Sequence, residues 1–166
     1  MMQSAYSISA YKGNDAYFVE VDGISIHKRE LFFQVDSGAS RSLVGLNSVC
    51  GNDHKAFDKL KHLLEEIVKT GRYESKIMRT VTKEKVEVYP CVMRDVTIMD
   101  SRPLEFYFYI YPGIIHLPLL GFDFIDDCSF SHTIAGDVSI MSMANDPGKR
   151  FYPDKVLDLG NLINKL

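Results

Sequence analysis

The chain has 166 residues and a formal net charge of −3, from 19 Lys and Arg against 22 Asp and Glu. That length fits one domain with a single core, and the scattered charges, with no basic block, argue against nucleic acid as the main partner. Residues 1–15 hold no apolar segment of the signal-peptide type, and no stretch approaches about eighteen apolar residues. We therefore expect neither secretion nor a membrane partner.

The cysteines and histidines give no sign of a metal or disulfide framework. Cys50, Cys91 and Cys128 are odd in number and have no Cys-x-x-Cys spacing, which favours a reducing, cytoplasmic location. The histidines are scattered without ligand spacing, and the sequence contains neither His-Glu-x-x-His nor a Gly-rich phosphate loop. The sequence predicts no cofactor and no metal.

The N-terminal part of the chain predicts strands. Residues 1–15 are polar and predict an N-terminal arm or an edge strand, followed by a strand over residues 16–21. Asp22-Gly23 is typical of a two-residue hairpin turn. The second arm of this hairpin would begin at residues 24–26 and continue into the apolar run at residues 31–35.

That apolar run ends in Asp36, Ser37 and Gly38. The pattern predicts a buried strand that stops at a tight turn. A carboxyl group at the end of such a strand, next to apolar walls, is a candidate for proton transfer because burial changes its pKa. The triplet alone has low specificity, since it should occur by chance in about one chain in ten of this length. The alternative is that Asp36 only caps backbone amides of the turn.

The clearest helix follows at about residues 54–70. Asn52 or Asp53 provides a cap for its start and Gly71 for its end. We interpret this helix as a scaffold that faces the core, and a partner-binding amphipathic helix is the alternative. Its apolar side chains recur at the 3.6-residue period and are Phe57, Leu60, Leu63, Leu64, Ile67 and Val68.

The central part of the chain changes to an alternation with period two. Residues 77–81 and 86–89 flank a charged tip and predict a β-hairpin. Pro90 is expected to break this run, and residues 91–99 resume it. The most regular strand is predicted at residues 104–111, with one apolar face and one face of tyrosines.

The region after Gly113 is predicted to return to the Asp36 strand. Residues 114–120 are apolar apart from His116 and would run beside that strand. Gly121 has no side chain and so permits close approach of two backbones. A short helix is expected at residues 122–127, capped by Asp123. A strand at residues 138–143, after a turn at 135–137, and a short amphipathic helix near the C-terminus complete the predicted elements.

Two motifs, Val35–Ala39 and Leu119–Ile125, together resemble the signature of the retropepsin-like aspartic proteases, found in retroviruses, retrotransposons, cells and bacteria. The resemblance covers residues 16–144 and leaves an N-terminal arm, 1–15, and a C-terminal tail, 145–166. It implies a mainly β, closed-barrel acid-protease fold. The helix at about 54–70 would be an insertion, as in several cellular and bacterial relatives, and a short helix would follow Gly121.

The resemblance also implies roles for individual residues. Asp36 would be catalytic, and Ser37 would hydrogen-bond across the dimer to the partner's backbone. Phe122 stands where retroviral enzymes commonly carry an Arg, so their ion-pair brace is missing. The predicted hairpin would be the flap over bound peptide, although an ordinary exposed hairpin is the alternative. The supporting residues would be Gly38, Ala39, Leu119, Leu120 and Gly121, and the substrate-binding flap residues would be Val81, Thr82, Lys83 and Glu84.

The sequence contains a single Asp-(Ser/Thr)-Gly triplet, whereas aspartic peptidase chemistry requires two carboxyl groups. We therefore expect a homodimeric aspartic endopeptidase that acts on polypeptides, with Asp36 from each subunit at a two-fold axis. The alternatives are a non-catalytic dimeric peptide-binding or adaptor module with the same fold, and a structural dimerisation domain. A Cys128–His132 thiolate pair is disfavoured because these residues do not predict a helix, and Ser37 has no general base beside it in the sequence.

Overall fold

The computed structural model describes residues 6–11, 16–80, 82–132 and 138–166. The described residues form eleven strands, four α-helices and one 3-10 helix at Lys149–Phe151, so the chain is mainly β, as predicted. The strands are β1 Tyr6–Tyr11, β2 Ala16–Asp22, β3 Leu31–Val35, β4 Leu43–Gly45, β5 Lys76–Arg79, β6 Lys85–Ile98, β7 Leu104–Tyr111, β8 Leu119–Leu120, β9 Cys128–His132, β10 Val138–Met143 and β11 Leu157–Asp158. The helices are α1 Leu46–Cys50, α2 His54–Val68, α3 Phe122–Ile125 and α4 Leu159–Ile163.

The strands close into a barrel. Going round the ring, β6 pairs with β7, β7 with β4, β4 with β8, β8 with β3, β3 with β2, and β2 again with β6. Because β2 pairs again with β6, the ring has no strand edge with unpaired backbone groups at that point. β1 extends the sheet from β2 towards β10 and β9, while β5 and β11 both pair with β6. The predicted closed barrel is therefore confirmed, and this arrangement is consistent with the acid-protease fold that the motifs implied.

The barrel interior is filled by aromatic side chains. Phe33, Phe106 and Phe108 are fully buried, as is Phe124 of α3. Phe106 meets Phe33 edge to face at 5.5 Å between ring centroids and lies against Phe108 at 5.4 Å. Phe33 belongs to β3 and lies three residues before Asp36. The packing of these rings therefore fixes the end of β3 that leads to Asp36.

The predicted helix is confirmed as α2. The Asp53 carboxylate accepts the Ala56 N–H at 3.0 Å and so caps the start of the helix. Gly71, with φ of +70°, follows the last turn and donates to the Val68 carbonyl at 3.1 Å. Leu60 and Leu64 are buried against the barrel, so the helix is part of the core.

The predicted two-residue hairpin at Asp22-Gly23 is wrong. β2 and β3 do pair, Val21 opposite Leu31, but residues 23–30 form a loop between them. Ile24 is fully buried, which draws the loop into the core. Gly23, with φ of +106°, is required for a different reason, because a Cβ there would lie 2.9 Å from the Asp95 carbonyl oxygen of β6.

Pro90 does not break its strand, contrary to the prediction. β6 runs without interruption through Pro90, which lies opposite Tyr109 of β7. On the other edge of β6, β5 pairs as far as Val88 and β11 begins at Cys91. Pro90 lies between these two partners, where no neighbouring strand requires its missing N–H.

The predicted strand at residues 114–120 is correct only at its end. Only Leu119 and Leu120 form β8, and Ile114 is 74% exposed. β8 pairs in parallel with β3, with Gln34 opposite Leu119 and Val35 opposite Leu120. The strand at 104–111 is confirmed as β7, and β10 confirms the strand at 138–143. The turn expected at residues 135–137 lies outside the described residues.

The C-terminal segment, residues 145–166, packs on the barrel. Leu157, Leu159 and Leu162 belong to the main hydrophobic core. β11 pairs in parallel with β6, and α4 follows it with Asp158 as the capping residue. No described helix is long and apolar enough to span a membrane.

Candidate active site

Asp36 directly follows β3 at the point where this strand lies beside β8. Its N–H donates to the Leu120 carbonyl at 2.9 Å, and the Gln34 N–H donates to the Pro118 carbonyl at 3.0 Å. The parallel pairing therefore continues as far as Asp36. This main-chain bond holds the residue against the barrel while its side chain lies in the turn that follows.

The Asp36 carboxyl group is only partly used by its own turn. Oδ1 accepts the Gly38 N–H at 2.9 Å, and the Asp36 carbonyl accepts the Ala39 N–H at 3.1 Å. Within the described residues, Oδ2 has no hydrogen-bond partner. Asp36 is half-buried, while Ser37 and Gly38 are exposed. The turn thus orients one carboxyl oxygen and leaves the other available to water or to a second molecule.

Gly121 lies directly behind the Asp36 turn. A Cβ on Gly121 would lie 2.5 Å from the Arg41 carbonyl carbon and 2.9 Å from the Ala39 carbonyl oxygen. The Phe122 N–H also donates to Ala39 at 2.7 Å. Because backbone meets backbone here, no side chain fits at this position without moving the turn. Leu119 and Leu120 are buried beside it.

A second carboxyl group, Asp123, is fully buried behind the same turn. It accepts the Ser42 N–H at 3.0 Å and the Ser42 hydroxyl at 2.8 Å, together with the Phe124 N–H at 2.8 Å. The Ser42 hydroxyl oxygen in turn accepts the Gly121 N–H at 3.1 Å. The prediction that Asp123 caps the short helix is therefore wrong. The capping residue of α3 is Gly121, which has no side chain, and Asp123 lies within the helix and joins it to the chain after Asp36.

Tyr152, from the C-terminal segment, completes the surroundings of Asp123. Its hydroxyl donates to Asp123 Oδ2, and its ring stacks on Tyr109 of β7 with centroids 5.0 Å apart. Burial raises the pKa of Tyr152 well above 10, and the nearby Asp123 adds to this. The tyrosine face predicted on β7 is thus covered by the chain's own C-terminal segment.

A pocket of about 210 Å³ lies beside the Asp36 turn. Residues 38–41 of the turn form one wall, and β5 forms the opposite wall. Leu43 and Leu119 contribute apolar surface to its lining. The pocket is smaller than a typical cavity for a drug-sized ligand, but it has room for a side chain of an extended peptide.

The predicted hairpin is present as β5 and the first part of β6, while its role as a flap stays a prediction. Its turn is closed by the Thr80 N–H, which donates to the Glu84 carbonyl at 2.9 Å, and Lys83 has a positive φ of 65°. Thr82, Lys83 and Glu84 are exposed, and Val81 lies outside the described residues. β5, rather than the tip, lines the pocket, so substrate contact by these tip residues stays a prediction.

Other chemistries find no support in the described part of the chain. It contains no group of three His, Cys, Asp or Glu side chains that could hold a metal ion. Burial raises the pKa of the Cys128 thiol to about 12 and that of Cys50 to about 11, which disfavours a reactive thiolate. A larger cavity of about 630 Å³ lies under Tyr152, away from Asp36. Arg150 at its edge is already paired with Asp126 and Asp127.

Several residues of the site were not predicted from the sequence. Arg41 and Ser42 come three and four residues after Gly38 in the chain. The sequence therefore already indicated that they lie near the Asp36 turn. Lys76 and Arg79 are the end residues of β5, in the hairpin that was expected to lie over the site, and their charge was the available signal. No sequence signal pointed to Tyr152, because it lies far from both motifs in a segment without a clear apolar periodicity.

No protein-family model matches this chain, and no curated protein matches it. Among solved structures, a retropepsin-like aspartic protease from Rickettsia conorii is similar, with a TM-score of 0.45 and 14% sequence identity. The match covers 87% of this chain and 97% of the other. A similarity at this level carries no conclusion about chemistry.

Proposed function

We propose that this protein is an aspartic endopeptidase whose active site is assembled from Asp36 of two identical subunits. The observation that carries the proposal is the Asp36 turn itself. The turn binds one carboxyl oxygen through the Gly38 N–H at 2.9 Å and leaves the other without a partner among the described residues. A carboxyl group held in this way can bind and polarise a water molecule.

The second carboxyl group has to come from another copy of the chain. Asp123, the nearest acid in the downstream motif, is fully buried and bonded to Ser42 and Tyr152, so it is not free to share a water. A two-fold axis next to the exposed Ser37 and Gly38 would bring two Asp36 side chains together. The exposed Ser37 hydroxyl would then donate to the partner's backbone across the axis.

Two such carboxyl groups share one proton, because like charges a few ångströms apart cannot both ionise, as holds for aspartic proteases in general. The ionised group takes a proton from the bound water as the water attacks the scissile carbonyl. The protonated group gives its proton to the carbonyl oxygen. The proton taken from the water then passes to the leaving amine as the C–N bond breaks, and the re-forming carbonyl returns a proton to the second carboxylate. The peptide would lie extended between the Asp36 turn and the β5–β6 hairpin, paired through main-chain hydrogen bonds.

The test of the peptidase proposal is cleavage of peptides by the purified full-length protein. Wild type is assayed between about pH 4 and 7, with and without a statine-type inhibitor, beside Asp36→Asn. We expect cleavage by wild type, inhibition by the statine compound, and a rate at least about a thousandfold lower for Asp36→Asn, because a general acid–base pair is lost. Thermal unfolding of the variant serves as the control for folding.

An Asp36→Asn variant that folds, dimerises and cleaves as fast as wild type removes the proposal. A wild-type protein that binds peptides but cleaves none would favour the alternative function, a non-catalytic dimeric peptide-binding module. The predicted cytoplasmic location is tested separately, by fractionation of cells that make the protein.

A further inference from the structure

The pocket beside the Asp36 turn is lined by positive charge. Arg41 lies on the turn side, and Lys76 and Arg79 lie at the two ends of β5. The lining contains no acidic residue. Within the described residues, no carboxylate oxygen lies within 4.0 Å of a nitrogen of these three side chains. The chain as a whole carries a net charge of −3, so this concentration of cations is local.

Arg41 has an unused hydrogen-bond donor. Its guanidinium lies over the Phe151 ring at 4.8 Å, and its Nη1 donates to the Ser40 carbonyl at 2.9 Å. Its Nε is buried and has no hydrogen-bond partner among the described residues. A buried N–H without a partner carries a free-energy cost. The guanidinium also has further N–H groups that a carboxylate can use, since only one Nη1 donor is engaged within the described residues.

Lys76 is held in surroundings that do not favour its charge. Burial lowers its pKa first, and repulsion from Arg41 lowers it further, while attraction to Asp123 opposes the shift. The ammonium lies 5.9 Å from the Tyr109 ring centroid, which stabilises a cation only weakly. An anion next to both cations would stabilise them together.

The nearest acid on the hairpin does not supply that anion. Glu87 lies opposite Ile77 on the neighbouring strand. Its two carboxylate oxygens accept hydrogen bonds from the Ser75 hydroxyl and the Tyr89 hydroxyl, both at 2.8 Å. The cations of the pocket are therefore left for an external partner.

We propose that this pocket is a substrate subsite that binds an acidic side chain, preferably Glu, close to the scissile bond. The inference rests on the proposed peptidase function. The carboxylate would accept hydrogen bonds from Arg41 and Lys76, and the methylene groups of Glu would contact Leu43, Met78 and Leu119. Arg41 and Lys76 determine specificity in this assignment.

The test measures peptide binding and cleavage separately. Decapeptides with a central hydrophobic pair carry Glu or Gln at one position, scanned across the sequence. Binding is measured by calorimetry on full-length Asp36→Asn, which holds peptide without cleaving it, and kcat/KM is measured on the wild type. At one position next to the hydrophobic pair, we expect Glu to be favoured over Gln about tenfold, as for one partly desolvated charge pair.

Two further variants in each background localise the effect. Lys76→Gln should reduce the Glu-to-Gln ratio to about one or two, and Lys76→Glu should make a Lys peptide bind better than its Gln counterpart. Lys59→Gln is the matched control, because it removes one positive charge from the exposed face of α2. The control should keep the tenfold ratio.

The two proposals fail in different ways. Glu and Gln peptides that bind and react equally at every position overturn the acidic subsite, even if cleavage is rapid. If Lys76→Gln and Lys59→Gln reduce the Glu-to-Gln ratio equally, the acidic subsite is also overturned, because the ratio would then reflect the overall charge of the protein. A protein that prefers the Glu peptide in binding but cleaves neither peptide supports the subsite and removes the peptidase.

Discussion

Two carboxyl groups meet at the same turn of this protein and have opposite surroundings. Asp36 lies in front of the turn, half-buried, with one oxygen bonded to the Gly38 N–H. Asp123 lies behind the turn, fully buried, and accepts hydrogen bonds from Ser42, Phe124 and Tyr152. Asp36 follows β3 and Asp123 follows β8, and these two strands run side by side. The difference in burial between the two carboxyl groups therefore comes from the residues that surround each of them.

Asp123 is an acid that holds the turn in place, whereas Asp36 is an acid that is free to take part in chemistry. The donors around Asp123 saturate its oxygens, and they tie α3, the chain after Asp36 and the C-terminal segment together. Asp36 retains acceptor capacity and access to solvent, which chemistry requires. We therefore expect the removal of Asp123 to lower the free energy of unfolding, and the removal of Asp36 to lower peptidase activity.

The largest effect on stability is expected for Asp123→Ala. The change leaves the Ser42 and Tyr152 hydroxyls and the Ser42 N–H without an acceptor in a buried site. It should lower the free energy of unfolding by about 3 kcal/mol or more. Urea denaturation followed by circular dichroism measures this effect, and Asp36→Asn in the same experiment should change stability by less than about 1 kcal/mol.

The matched control for Asp123→Ala is Asp126→Asn, in the same helical turn but exposed. It should unfold nearly as wild type does. If Asp123→Ala and Asp126→Asn have equal stability, or if Asp36→Asn is the least stable of the three, the division between the two carboxyl groups is wrong.

A smaller effect is expected for Tyr152→Phe, which removes a single donor from Asp123. It should lower the free energy of unfolding by about 1–2 kcal/mol at neutral pH. The pKa of Tyr152 is raised in the folded protein, so its contribution is complete below pH 10 and is lost as pH rises above 10. The stability difference between wild type and Tyr152→Phe should therefore decrease above pH 10.

Chemical denaturation at pH 7, 9 and 10.5 measures this dependence. The raised pKa values of Cys50 and Cys128 also lower stability at alkaline pH, but they do so equally in both proteins and cancel in the difference. A difference that stays constant or increases between pH 9 and 10.5 contradicts the proposed hydrogen bond to Asp123.

Much of the scaffold was predictable from the sequence because its signals are local. The apolar period of α2 and its Asp53 cap lie within one turn or a few turns of the residues they organise. The same holds for the alternation of β7, so α2 and β7 depend on few distant residues. Gly121 was predicted through its motif instead, because the backbone 2.5 Å away that requires its lack of a side chain belongs to Arg41.

The remaining features depend on contacts between distant parts of the chain. Gly23 is typical of a tight turn, but its real constraint is the Asp95 carbonyl of β6. Pro90 is tolerated only because two different strands end and begin beside it. Tyr152 reaches Asp123 across 29 residues and from outside both motifs. None of these contacts leaves a periodic signal in the sequence.

The central claim is that one active site needs Asp36 from two chains, and a mixing experiment tests it most directly. Wild type is mixed with increasing Asp36→Asn protein at constant total concentration, after unfolding and refolding together so that subunits exchange. If both carboxyl groups are required, peptidase activity falls as the square of the wild-type fraction, to about a quarter at equal amounts. An activity that falls linearly, to about half at equal amounts, contradicts the claim, because each chain would then act alone.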